Sequence, residues 1–291
     1  MKPFNKSLNF LILLVTPLLI IQPLNAGDAK TMKVTYPATN PDTYQIASEW
    51  KLVWEDSFSG EKLDPNNWTR QVEPAGRFNG EWQRYMNSEK NAYIDNGHLV
   101  IKAIHESNKH GMDQYTSARL NTAGNHAWKH GRVAARIQMP FGEGMWPAFW
   151  MLGNNIDENG GDTPWPQSGE IDIMEFYGSK DNGAIEVNMH YAGPDEKHAQ
   201  MGATKYKLPK GNFADNFHVF EMEWDETKIV WYVDGEEIAR NSLKAKKYSE
   251  FHQPYFILLN IAVGGKYSGR PDKTTQFPQM MYVDWVRVYQ K

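Results

Sequence analysis

Three carboxylates stand close together in one short run, Gly169-Glu170-Ile171-Asp172-Ile173-Met174-Glu175-Phe176-Tyr177. A strand repeats every two residues, so Glu170 and Asp172 share a face while Ile171 and Ile173 point to a core. Glu175 falls on the opposite face by that count. A single β-bulge between Asp172 and Glu175, in which two residues fill the space of one, returns it to the face of the other two acids. Like charges this close cannot all stay ionised, so their proton affinities must separate. Such separation lets one carboxyl act as an acid while its neighbour acts as a base or nucleophile. Glu170 and Glu175 would have Cα atoms about 13 Å apart, at roughly 3.3 Å per step. Leaning over the shorter Asp172, their side chains can approach the roughly 5–5.5 Å separation used to cleave a glycosidic bond with retention. A solvated acidic face and a cation site are the other readings of these three residues.

The flanking sequence speaks against plain solvation. Trp146-Pro147-Ala148-Phe149-Trp150 precedes the acids and Trp165-Pro166 leads into them. Sugar rings expose apolar C–H faces that stack on indoles, so tryptophan beside carboxylates suits a carbohydrate site. Trp224 and Trp231 are expected in the core instead.

The elements that must hold these residues read as β-structure throughout. Ala92-Tyr93-Ile94-Asp95, Asn96-Gly97 and His98 to Ala103 form a strand, a turn and a strand, as do Lys228 to Val233, Asp234-Gly235 and Glu236 to Ile238. Asn-Gly and Asp-Gly between such runs are strong hairpin signals. Gly131 to Met139 and Met281 to Tyr289 alternate between two faces. Helical periodicity never persists beyond a short stretch, and no fixed repeat or interior linker interrupts the chain. With 13% aromatic residues, 23 Gly and 16 Pro, the composition fits an all-β domain of two antiparallel sheets packed face to face rather than a helical bundle.

Composition also narrows the partners and the compartment. A net charge of −4 without a Lys/Arg-rich tract gives little attraction for nucleic acid. Lys2 and Lys6, an apolar run from Leu8 to Leu24 and the small residue Ala26 read as a signal peptide over residues 1–26. Residues 27–46 then form a polar linker or N-terminal arm, and 47–291 the catalytic domain. A secreted or periplasmic monomer, free of the membrane after cleavage, is the expectation. With no cysteine in the chain, neither a disulfide framework nor a thiolate metal site can form, and stability rests on a buried core.

The run Glu170-Ile171-Asp172-Ile173-Met174-Glu175 resembles the bulged Glu-x-Asp-x-x-Glu signature of laminarinases in family 16 of the glycoside hydrolases. The resemblance covers most of Trp50 to Gln290. It includes Trp50 to Asp56, Tyr115 to Leu120, Gly144 to Leu152, Trp231 to Gly235, Asn260 to Gly265 and Val283 to Tyr289, in family order. It implies a β-jelly-roll sandwich with a concave substrate cleft that hydrolyses internal β-1,3-glucosidic bonds of a β-glucan with retention. Carried over by residue, it makes Glu170 the nucleophile and Glu175 the acid/base, with Asp172 tuning the nucleophile. Trp146, Trp150, Trp165, Arg119, His190, Asn260, Asn79 and Glu81 then contact substrate. It implies no catalytic cofactor, but a structural Ca²⁺ held by backbone oxygens of Ser57 and Gly97 and the side chain of Asp284. One departure stands in Asn79-Gly80-Glu81-Trp82-Gln83-Arg84-Tyr85, where glycine replaces a second asparagine and Trp82 is bulky; contacts on the non-reducing side are the ones this affects.

Other patterns carry less. His126 and His130 lack a helical zinc motif and are expected as surface residues. Gly264-Gly265-Lys266-Tyr267 lacks the Ser/Thr of a phosphate loop. Asp157 to Asp162 is expected as a solvated turn. Mixed-linkage glucan and agar-type galactan are alternative substrates on the same scaffold, and a non-catalytic glucan-binding lectin is the alternative of another class.

Overall fold

The computed structural model describes residues 41–107, 114–178, 181–193 and 195–291. The expected signal peptide at 1–26 and most of the expected arm at 27–46 lie outside them. Within them the chain forms eighteen strands. In chain order these are β1 (Lys51–Asp56), β2 (Thr69–Gln71), β3 (Gln83–Tyr85), β4 (Ala92–Asp95), β5 (His98–His105), β6 (Tyr115–Ser117), β7 (Arg119–Asn121), β8 (Gly131–Gln138) and β9 (Met145–Gly153). There follow β10 (Glu170–Phe176), β11 (Ala184–Ala192), β12 (His198–Gln200), β13 (Thr204–Lys207), β14 (His218–Trp224), β15 (Lys228–Val233), β16 (Glu236–Ser242), β17 (Tyr255–Val263) and β18 (Gln279–Gln290). One α-helical turn, α1 (Gly265–Ser268), sits between the last two strands.

Both hairpins form where the sequence marks them. Asn96 and Gly97 take φ of 50° and 73°, and Asp234 and Gly235 take 50° and 82°. Two successive positive φ values match the right-handed twist of the flanking strands, a conformation Asn-Gly and Asp-Gly adopt at low cost.

The strands make two sheets. A 10-stranded sheet runs β16-β15-β14-β8-β18-β5-β6-β3, with β1 also on β18 and β4 on β5; an 8-stranded sheet runs β12-β11-β10-β9-β17-β7-β2, with β13 also on β11. All pairs are antiparallel except β3 with β6, which is parallel, a departure from the wholly antiparallel expectation. The chain returns to the same sheet direction there through the hairpin of β4 and β5.

The inner faces meet in one core. Val133, Ala135 and Ile137 of β8 and Trp231 of β15 pack with Phe149 of β9, Ile171, Ile173 and Phe176 of β10, and Ile257 and Leu259 of β17. Trp224 and Trp231 are both fully buried. Alternation then forces the partners of these residues outward. On the 8-stranded sheet the outward set contains Glu170, Asp172, Glu175, Trp146 and Trp150. On the 10-stranded sheet it contains Ala134, Val219 and Trp285, against which Tyr44 packs.

Candidate active site

The bulge in β10 lies where the acids require it. Against β9, Asp172 pairs with Trp150 and Met174 with Phe149, so Ile173 is the extra residue; against β11, Asp172 pairs with Asn188 and Glu175 with Glu186. Five steps on β10 from Glu170 to Glu175 thus match four on each neighbour, Leu152 to Ala148 and His190 to Glu186. Four is even, so both glutamates face outward with Asp172. Ile173 and Met174 are both buried inward, where the locally disrupted ladder gains apolar contacts. The carbonyl of Asp172 accepts a 2.9 Å hydrogen bond from Nε1 of Trp231 in the facing sheet. A core side chain therefore supports the backbone at the bulge.

Protons distribute unevenly over the three carboxyls. Burial and the charge of Asp172 push Glu175 up to about 8, against the opposing effects of its hydrogen-bond donors. Two of these donors, the Tyr177 hydroxyl at 2.8 Å and Trp146 Nε1 at 3.1 Å, both meet Oε1. That leaves Oε2 as the oxygen to carry the proton. Burial and the charge of Glu170 push Asp172 to about 7, so near neutrality it can donate to a neighbouring carboxylate. Glu170 is raised mainly by burial, but His190, Trp165 and Asp172 each favour its charged form. Trp165 Nε1 donates to its Oε2 at 2.8 Å.

His190 closes this arrangement. Its Nε2 lies 3.2 Å from Asp172 Oδ2 and 3.9 Å from Glu170 Oε1. Burial opposes its charged form, but the hydrogen bond and charge of Asp172, with those of Glu170 and Glu175, hold it up at about 9. Glu170, Asp172 and His190 bring potential ligand atoms within 4.8 Å of one another. In its cationic form the imidazole has no lone pair to offer a metal, and the three then form a charge-paired cluster.

The remaining expected contacts divide between cleft surface and buried scaffold. Trp165 is 42% exposed, while Trp146 lies edge-on to exposed Tyr267 at 5.4 Å. Trp150 is half-buried and donates through Nε1 to Asn260 Oδ1 at 2.7 Å. Asn260 in turn donates to the Tyr85 hydroxyl at 3.1 Å, and Tyr85 donates to Glu81 Oε2 at 3.2 Å. Asn260 and Glu81 are each 6% exposed, and both amide atoms of Asn260 serve this chain of bonds. Arg119 is also buried, stacked over Phe78 at 4.3 Å and Trp150 at 5.0 Å. These three residues hold the cleft wall and orient Trp150. Exposed Asn79 stands beside them, 3.4 Å from Glu81 Oε1.

Several expectations change. Trp82 packs against Gly264, where a Cβ would lie 2.9 Å from the indole, while Glu81, Gln83 and Tyr85 share a hydrogen-bonded face. Arg270 covers that indole at 5.1 Å. The turn at Asp157–Asn159 is not merely solvated, because Glu158 Oε1 accepts from Arg119 at 2.5 Å and from Gln71 at 2.8 Å. His126 and His130 are half-buried rather than superficial; His126 stacks on Trp128 and His130 meets Trp224 edge-on. Asp284, the one side-chain ligand of the expected calcium set with Ser57 and Gly97, accepts through Oδ2 from Arg136 at 2.6 Å. Its Oδ1 lies 3.7 Å from His98 Nε2.

Sequence reading missed some residues of the site. Tyr177 was legible, two positions beyond Glu175 and hence beside it on the strand. Glu158, Trp231 and His198 had no local signal, since each reaches the site from a distant part of the chain.

A sheet face that keeps one carboxyl protonated beside another flanked by an indole and a cationic imidazole suits acetal cleavage, the chemistry of the glycoside hydrolases. Residues 79–287 match Glycosyl hydrolases family 16, and the chain belongs to that family. It is 35% identical over 263 residues to the glucan endo-1,3-beta-glucosidase A1 of Niallia circulans, covering 82% of this chain and 38% of that protein's length. The laminarinase catalytic domain of Thermotoga maritima superposes with a TM-score of 0.72 at 40% identity, covering 83% of this chain and 98% of that one. The endo-beta-1,3-glucanase of Pyrococcus furiosus gives a TM-score of 0.72 at 41% identity, covering 83% and 94%. Two β-sheets in the family's jelly-roll arrangement are thus common to all three folds.

Proposed function

We propose that the protein is a retaining endo-β-1,3-glucanase acting on laminarin-type glucans. The observation that carries this is the bulge in β10, which turns Glu170 and Glu175 outward together and leaves Glu175 protonated to about 8. In the first step Glu175 gives its proton to the glycosidic oxygen while the Glu170 carboxylate attacks the anomeric carbon. The C–O bond breaks, the shortened chain leaves as an alcohol, and a glycosyl ester forms on Glu170. In the second step Glu175, now ionised, takes a proton from water as that water attacks the same carbon and frees Glu170. Both the nucleophile and the proton come from the chain, so the reaction calls for no cofactor. Asp172, protonated near neutrality, would donate to Glu170 and stabilise it as the leaving carboxylate.

The glucan assignment is supported by the names of the similar proteins and by the indoles around the acids. Sulfated galactans would need a cationic cleft, whereas among the described residues a single imidazole and no lysine or arginine pairs with these carboxyls. Sugar release from laminarin, lichenan and agarose, measured side by side, tests the substrate, and proton NMR of the first anomer tests retention. Absence of activity on both glucans would overturn the proposal. Export belongs to it through the Lys2 to Ala26 segment alone, and a secreted product beginning at Gly27 would bear that out.

A further inference from the structure

His198 contacts two of the side chains that hold the nucleophile's surroundings, though it touches none of the three carboxyls. It lies on β12, the edge strand of the 8-stranded sheet, where Ala192 pairs with His198 and His190 with Gln200. Its Nε2 stands 2.8 Å from Nδ1 of His190. Its ring packs against Trp165 with centroids 4.6 Å apart. Trp165 and His190 are the two residues that meet Glu170 and Asp172 from outside β10.

We propose that His198 is a positioning residue that fixes the proton arrangement of His190, a role that deepens the retaining-glucanase reading and rests on it for its catalytic consequence. A cationic His190 is a donor at both nitrogens and needs two acceptors. Asp172 Oδ2 stands 3.2 Å from Nε2 as the charge partner on that side, and a neutral His198 with its proton on Nδ1 would accept from Nδ1–H of His190. The amide of Asn188 lies 3.2 Å from the same Nε2, but it is a donor and is engaged with Gln200 Oε1 at 2.9 Å. Removing the His198 acceptor would leave a half-buried N–H of His190 unsatisfied, favouring a neutral ring. His190 would then cease to donate dependably to Asp172, and the field that keeps Glu170 ionised would weaken.

The same geometry has a pH consequence. If His198 takes a second proton, N–H groups face each other across the contact and the pair must open. The charged groups around the pair are Glu170, Asp172 and Glu175 of β10 on the His190 side, and Lys266 of α1 on the His198 side. Burial, then His190 and Lys266, lower His198 from the usual histidine range, so opening belongs to the acid limb.

Two substitutions separate acceptor from ring. His198→Gln keeps an acceptor but cannot titrate, and His198→Phe keeps a ring against Trp165 but has no acceptor. On laminarin, His198→Phe should lower kcat about tenfold with KM moving less than about twofold, as for the loss of one charge-assisted hydrogen bond. His198→Gln should hold kcat within about threefold and shift the acid limb to lower pH. Nitrogen-15 NMR at pH 7 should find both His190 nitrogens protonated in the parent and in His198→Gln, but not in His198→Phe. Unchanged kcat and His190 shifts in His198→Phe would overturn the proposal. Equal losses in both variants confined to KM would overturn it too, making the ring a sugar contact instead. If the parent cleaves no glucan while the His190 shifts change as stated, the functional reading fails and the positioning role stands.

Discussion

The outer faces of the two sheets treat their carboxylates in opposite ways. On the 10-stranded sheet several pair with a cation: Glu221 with Arg132, Asp284 with Arg136 at 2.6 Å, Glu55 with Arg287 at 2.7 Å and Glu223 with Lys228 at 3.6 Å. Tyr44 adds its hydroxyl to Glu221, and burial with that carboxylate's charge raises the tyrosine. On the 8-stranded sheet three carboxyls crowd one strand, and among the described residues no lysine or arginine pairs with any of them. Glu170 and Asp172 stand instead within ion-pairing distance of the His190 imidazole. Paired acids tie strands together; of the crowded ones, Asp172 and Glu175 hold protons near neutrality and can exchange them. Similar residue types therefore give structure on one face and reactivity on the other.

The sharpest way to test that contrast is to remove one acid from each face. Glu170→Gln should abolish glucan hydrolysis, by about 10⁴-fold or more in kcat, because a nucleophile has no substitute; assays on laminarin check it, and residual activity above about one percent of the parent would break the assignment. Glu175→Gln should lower kcat by about 10²–10⁴ and remove the alkaline limb, which in the parent falls as pH rises through about 8 and Glu175 loses its proton. A pH–rate profile reads this directly. Glu221→Gln should do the reverse, leaving kcat and KM near parental values. It should cost about 3 kcal/mol in chemical denaturation, since Arg132 loses a buried partner.

The smallest effect separates the faces by stability rather than rate. Glu175 binds its proton more tightly folded, at about 8, than at its ordinary 4.5. Its stabilising contribution is thus complete below the unfolded value and is lost as pH rises through the folded one. Glu175→Gln cannot ionise, so it should be more stable than the parent at pH 9 by about 1 kcal/mol, a Tm rise of about 2–4 °C, with no difference at pH 4. A lower melting point for the variant at pH 9 would show that the crowded face carries no such strain.

Much of this was legible along the chain. The turns at Asn96-Gly97 and Asp234-Gly235, the alternation of β8 and β18, and the need for a bulge between Asp172 and Glu175 all follow from neighbours a few residues apart. Tyr177 belonged to the same register and could have been read from it. The buried settings of Glu81, Asn260 and Arg119 could not, because the residues that satisfy them come from other strands. Trp150 and Asn260, for example, are 110 positions apart in sequence. Trp82 shows the same limit in reverse: its bulk was evident, but the glycine that receives it lies in the loop after β17.

Sequence alone determined which strand would carry the acids and which side chains would face out, since a period of two and a bulge are properties of the local backbone. The fold decided how protons are shared among those acids. Trp146, Trp165, His190 and Trp231 converge on one strand only after the sheets assemble, and burial there shifts each carboxyl by an amount no local pattern encodes. Proton affinity depends on the nearest charges and on the exclusion of water, and both are set by contacts between distant parts of the chain.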